Sequence, residues 1–174
     1  LRSLSLRCLR PAAARLSASP VVFRAPAMVQ QRFMSMDGSK TLQNLKDAFA
    51  GEAMAAIRYE YYAQRADVEG YPDLATLFRG LAEGEKNHAM GHLEFLQHEV
   101  GDPVTNQPIG NCHENIASAL VGENHDGSTM YPSFAEIARS EGHEDAAEWF
   151  ETLVHAEKAH LKRLQRAQAE LESA

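Results

Sequence analysis

Cysteine is nearly absent. Only Cys8 and Cys112 occur among 174 residues, too few for a disulfide framework or a cysteine-rich metal site. Long apolar runs are missing as well: no stretch approaches the roughly 18 residues that a membrane-spanning helix needs, so no transmembrane segment is expected. Acidic residues are absent from the first 36 positions, which carry six arginines (Arg2, Arg7, Arg10, Arg15, Arg24 and Arg32). The remainder reverses that balance. Residues 37–174 hold 11 basic and 24 acidic side chains, a net −13, and such a body repels phosphate backbones, which argues against nucleic acid as a partner.

The leader at 1–36 is rich in Arg, Ser and Ala, with Leu4, Leu6 and Leu9 set among basic residues. That is the composition of an organellar transit segment. Arg32-Phe33-Met34-Ser35 looks like a mitochondrial processing site, which places the protein in the mitochondrion, on the matrix side, with the plastid as alternative. A disordered basic arm, or translated sequence upstream of a start at Met34 or Met36, would account for the same composition. The folded body is expected at 37–174.

That body repeats itself. Gly51-Glu52, Glu69-Gly70, Phe78 and Glu85-Lys86-Asn87-His88 recur as Gly122-Glu123, Glu141-Gly142, Phe150 and Glu157-Lys158-Ala159-His160. The first pair is offset by 71 residues and the others by 72, so the second copy holds one extra residue between Glu123 and Tyr131. Helix-forming residues run through 42–67 after a candidate cap at Thr41, then 73–99, 112–140 and 144–171. Gly70 with Pro72, and Gly142, mark two tight turns. The longer Gly- and Pro-rich loop at 100–111 joins the halves. An all-α, ferritin-like four-helix bundle of two duplicated hairpins with one longer crossover is the expected fold. Pro132 should kink the third helix, and the inserted residue just before it is most simply absorbed as a π-bulge, a feature that often marks functional sites.

Glu85 and His88, like Glu157 and His160, stand three apart and so share one helix face. Glu52 and Glu123 occupy matching positions on the other helix of each hairpin. A bundle can therefore aim four carboxylates and two imidazoles at one point, where they would repel unless cations neutralise them. One Glu from each of two helices and Glu-x-x-His from the other two is the di-metal carboxylate pattern, and mixed O and N donors suit Fe or Mn. Packing alone would not select six buried polar groups when apolar ones cost less.

The chain resembles the rubrerythrins in Phe49-Ala50-Gly51-Glu52, Arg58-Tyr59, Glu83-Gly84-Glu85-Lys86-Asn87-His88-Ala89, Gly122-Glu123-Asn124, Met130-Tyr131-Pro132 and Ala156-Glu157-Lys158-Ala159-His160. The likeness covers about residues 38–168. It implies two iron ions held by Glu52, Glu85, His88, Glu123, Glu157 and His160, with tyrosines at 59 and 131 bonded to the metal carboxylates and helping to deliver protons. It also implies a homodimer, and the 100–111 loop would permit exchange of hairpins between chains. Two departures stand out. Asp126 occupies the place of a further glutamate that in the family binds one iron in the oxidised state, and aspartate is one methylene shorter. The four cysteines of a rubredoxin-like domain are also missing, so turnover would need a separate electron donor. His125 is expected at the surface, His92 on an exposed face, and Tyr61, Tyr62, Phe78, Phe95, Trp149 and Phe150 in packing roles.

Three functions are compatible with these residues. The first is a non-haem di-iron peroxidase that reduces hydrogen peroxide to water with electrons from a rubredoxin- or ferredoxin-type donor, protecting against oxidative stress. The second is a ferritin-like iron oxidase or metal-binding protein. The third is an accessory subunit of a larger mitochondrial assembly.

Overall fold

The computed structural model describes residues 35–173. The leader and its processing site lie outside these residues, except for Ser35 and Met36. Five α-helices follow in order: α1 (Lys40–Glu69), α2 (Pro72–Glu99), α3 (Cys112–His125), α4 (Tyr131–Ser140) and α5 (Glu144–Glu172). A π-helical turn, Asp126–Met130, joins α3 to α4 without a break. The all-α, ferritin-like architecture of two hairpins and a longer crossover is the one observed.

Local chemistry sets the helix limits. The cap of α1 is Ser39 rather than the expected Thr41: its hydroxyl accepts from the Leu42 N–H at 3.1 Å, satisfying one of the unpaired donors of the first turn. Gly70 ends α1 in the left-handed conformation (φ 84°), and the next N–H, of Tyr71, reaches back to the Ala66 carbonyl at 2.8 Å. Gly142 (φ 82°) and His143 repeat the device onto the Ala138 carbonyl. Only glycine enters that region without steric cost. Asn111 and Glu114 form a reciprocal capping box on α3.

The expected bulge is present. Within Asp126–Met130 the ladder lengthens, and the Tyr131 N–H donates to the Asp126 carbonyl five residues back. Ser128 Oγ donates to the Asn124 carbonyl at 2.5 Å, covering an acceptor displaced by the change of pitch. Pro132, which has no N–H to give, falls in the first turn of α4, where the ladder is already being reset.

Each hairpin closes on an alanine seam. Ala56, Ala63 and Ala66 of α1 are buried, as are Ala75, Ala82 and Ala89 of α2, the last three at heptad spacing. Ala135, Ala138 and Ala147 do the same for α4 and α5. Small side chains let the paired backbones come close but bury little apolar area. Large apolar residues are left on the flat faces. Tyr61, Phe95 and Trp149, expected to pack, are 60%, 53% and 59% exposed in the chain. Ion pairs bridge each hairpin near its turn: Asp67 with Arg79 in the first, and Arg139 with Glu151 at 2.8 Å in the second. These positions correspond in the repeat, with the charges reversed.

Among the described residues no helix of the first hairpin packs against a helix of the second; none of their Cα atoms approach within 8 Å. The halves meet at the crossover, where Phe49 and Leu93 share a cavity of 290 Å³ with Val104, Ile109, Ala119 and Glu123. That loop is rigidly tied. Asp102 accepts from the Val104 and Thr105 N–H groups at 2.8 and 3.2 Å and from Ser118 Oγ on α3 at 2.7 Å. A Thr105–Ser118 hydroxyl bond of 2.6 Å closes the network. Burial pushes the Asp102 carboxyl up, but these hydrogen bonds together outweigh it and hold the group below its ordinary value.

Candidate metal centre

Six of the seven predicted ligands come together, as two groups of three. Glu52 on α1 meets Glu85 and His88 on α2; Glu123 on α3 meets Glu157 and His160 on α5. In each group the donor atoms lie within 4.8 Å of one another. His88 Nδ1 stands 2.9 Å from Glu85 Oε2, and His160 Nδ1 stands 2.8 Å from Glu157 Oε2 and 3.1 Å from Glu123 Oε2. The i, i+3 spacing accounts for the His–Glu pairs, and the seam sets the helix separation that brings in the third carboxylate.

The carboxylates are the inner members and the imidazoles the outer. Glu85 and Glu157 are 22% and 14% exposed, His88 and His160 62% and 48%. Among the described residues no Lys or Arg pairs with any of the four glutamates. The second group shows what that costs. Burial, and a hydrogen bond shared with Glu157, push the Glu123 carboxyl up against the pull of His160. The hydrogen bond from Glu123, together with His160, holds Glu157 down despite burial. Glu157 and then Glu123 raise the His160 imidazole. All three directions describe acidic groups that borrow protons for want of a cation.

The predicted tyrosines sit in a duplicated aromatic triplet. Tyr59 stacks on Phe78 with ring centres 6.2 Å apart, and Tyr62 meets Phe78 edge-on at 5.5 Å. Tyr131, Phe150 and Phe134 reproduce this at 6.0 and 5.6 Å. Burial, followed by the charges of Glu157, Asp126 and Glu123, pushes the Tyr131 hydroxyl up, so it keeps its proton beside the carboxylates.

Asp126 is not gathered into either group. It starts the π turn and borders the crossover cavity with Gly122 and Glu123, and its charge still reaches Tyr131. His125 is exposed, as expected, whereas His92 is half-buried rather than exposed. Gly127 was not foreseen. It is buried in the π turn, and a Cβ there would lie 3.2 Å from the Glu157 Cβ and 3.4 Å from the Lys158 nitrogen, so the bulge packs its bare backbone directly behind a ligand. Its signal in the sequence was adjacency to the inserted residue. The alanines at 75, 82 and 89 were likewise legible at heptad spacing but not singled out.

The Rubrerythrin family model matches residues 43–168. Rubrerythrin of Nitratidesulfovibrio vulgaris is 38% identical over 132 residues, covering 74% of this chain and 69% of that protein. Rubrerythrin-1 of Clostridium acetobutylicum is 36% identical over 136 residues, 74% and 70% of the two chains. Among solved structures, the fully reduced, all-ferrous state of nigerythrin aligns at 28% identity over 93% of this chain and 82% of that one, with a TM-score of 0.36.

Proposed function

Because the chain belongs to the rubrerythrin family, whose cofactor is a di-iron centre, we propose that it is a non-haem di-iron peroxidase that reduces hydrogen peroxide to water. The observation that carries this reading is the pair of repeat-related Glu, Glu, His groups, each on a hairpin that also bears an aromatic triplet with a tyrosine. The donor set fits iron: carboxylate oxygens and imidazole nitrogens suit Fe or Mn, and the unpaired acids call for positive charge.

Glu52, Glu85, His88, Glu123, Glu157 and His160 would hold the metal. Bound as a ferrous pair, iron supplies Lewis acidity and two electrons for cleaving the O–O bond. The rest falls to the protein. Reducing one peroxide to two waters consumes two electrons and two protons. Tyr131, kept protonated beside three carboxylates, is placed to donate a hydrogen bond or a proton at the site. The stacked phenylalanines fix its ring and limit water around it. An external carrier of rubredoxin or ferredoxin type restores the electrons, since two cysteines cannot build a four-cysteine iron site. The arginine-rich leader supports a mitochondrial setting, which a fusion of residues 1–36 to a fluorescent reporter tests.

The experiment is stopped-flow mixing of the iron-loaded, reduced protein with peroxide and, separately, with dioxygen. Faster oxidation by peroxide, with turnover when a reduced rubredoxin is supplied, is the expected result. Rapid oxidation by dioxygen with slow peroxide reaction would replace this reading with a second one, a ferritin-like iron oxidase. The position of Asp126 outside both ligand groups is what favours that alternative.

A further inference from the structure

Resting on the di-iron reading above, we infer that the metal site is assembled between two copies of the chain. Glu52, Glu85 and His88 of one copy close on Glu123, Glu157 and His160 of the partner subunit, so that two exchanged bundles form one dimer with two sites.

Three observations point to an exchanged partner rather than a chain folded back on itself. First, three donors per hairpin cannot enclose two ions, and within the chain the hairpins do not pack. Second, the stripes that carry the ligands are apolar and uncovered. Leu81 and Leu77 lie one and two turns before Glu85, and are 42% and 57% exposed; Phe95 lies two turns beyond His88, and Trp149 two turns before Glu157. An apolar face with metal ligands at its centre marks an interface. The occupant follows from the duplication: each hairpin's natural complement is the other half of the repeat, and a second copy supplies it twice about one axis. Third, the crossover is fixed in its open course. Asp102 binds both its own loop and Ser118 of α3. Gly101 (φ 76°) also runs so close to the Gln107 carbonyl that a Cβ would lie 2.2 Å from its oxygen. Folding one half back onto the other would break this network, whereas exchange between copies keeps it.

The test uses two full-length variants carrying different affinity tags, Glu85→Ala/His88→Ala and Glu157→Ala/His160→Ala. They are co-expressed, and the mixed dimer is isolated through both tags. Each variant alone is checked for dimer mass by light scattering and for helix content, and should hold no di-iron site. Exchange puts both defects in one bundle and leaves the other intact, so the mixed dimer should bind about two irons, roughly half the wild-type load. A mixed dimer without iron, or a monomeric wild type, overturns the inference. The metal-free readout is isotope-filtered NOE spectroscopy on a mixture of labelled and unlabelled wild-type chains. Contacts between Leu77 or Leu81 methyls and rings of the second hairpin should arise only between chains, and finding them within a chain overturns the exchange even if iron is bound. Wild-type dimer that shows the interchain contacts but takes up no iron sinks the peroxidase reading while upholding the exchange.

Discussion

Replacing Gly127 by alanine should damage the metal site from behind. The new Cβ would meet the Glu157 Cβ at 3.2 Å and the Lys158 nitrogen at 3.4 Å, whereas non-bonded carbons rest at about 3.5–4.0 Å. Helix α5 must therefore retreat by a few tenths of an ångström or more, at the turn that carries a ligand. Overpacking of this kind costs about 1–3 kcal/mol. Against it stands the loss of unfolded-chain freedom on going from Gly to Ala, worth about 0.4–1 kcal/mol. The net expectation is a loss of about 0.5–2 kcal/mol, a fall of several degrees in melting temperature for a domain of this size. Metal–ligand distances tolerate only about ±0.2 Å, so iron content should fall by more than the stability does. Gly80→Ala is the control. Nothing lies within 4 Å of its Cβ position, and the same substitution there should stabilise by about 0.4–1 kcal/mol. Differential scanning calorimetry and iron analysis of both variants provide the assay. A Gly127→Ala protein that melts at or above wild type with a full iron load would refute the close-packing account of the π turn.

Asp102→Ala should destabilise by about 1–2 kcal/mol, because it frees Ser118 and two loop N–H groups at once; thermal melts at pH 7 check this. The native carboxyl lies below its ordinary range, so its contribution is present above about pH 4 and lost as pH falls through the native value. The gap between wild type and variant should therefore narrow in acid, and a gap that stays constant would contradict the network. Tyr131→Phe should keep its iron and its helix content but react with peroxide more slowly, by on the order of 10². Unchanged stopped-flow rates would remove the tyrosine from the proton path.

Much of this was readable because duplication writes a pattern twice. Glu-x-x-His, Gly-Glu and Glu-Gly recur at a fixed offset, and the single break in that offset located the π turn to within a few residues. Helix limits were less legible. Thr41 and Ser39 are both good caps, and the choice falls to Ser39 because the chain turns at Gly38 (φ 68°) just before it. The half-sites were hidden for a different reason. Residue spacing puts Glu85 and His88 on one face, but it cannot say whether the facing hairpin belongs to the same chain. Gly127 was hidden because its role depends on the approach of α5, a contact 30 residues away in sequence.

The reversed ion pairs have a consequence for how a duplicated chain finds its own partners. Two nearly equivalent hairpins invite mispairing, since α1 could seek α5 and α4 could seek α2 along similar alanine seams. With Asp67–Arg79 in one half and Arg139–Glu151 in the other, α1 on α5 would set Asp67 against Glu151, and α4 on α2 would set Arg139 against Arg79. Each pair is worth little as stabilisation at an exposed site, but the wrong combinations replace attraction by repulsion in both hairpins at once. The opposite polarities thus act as matched labels, sorting each helix to its own hairpin before any metal is there to judge the result.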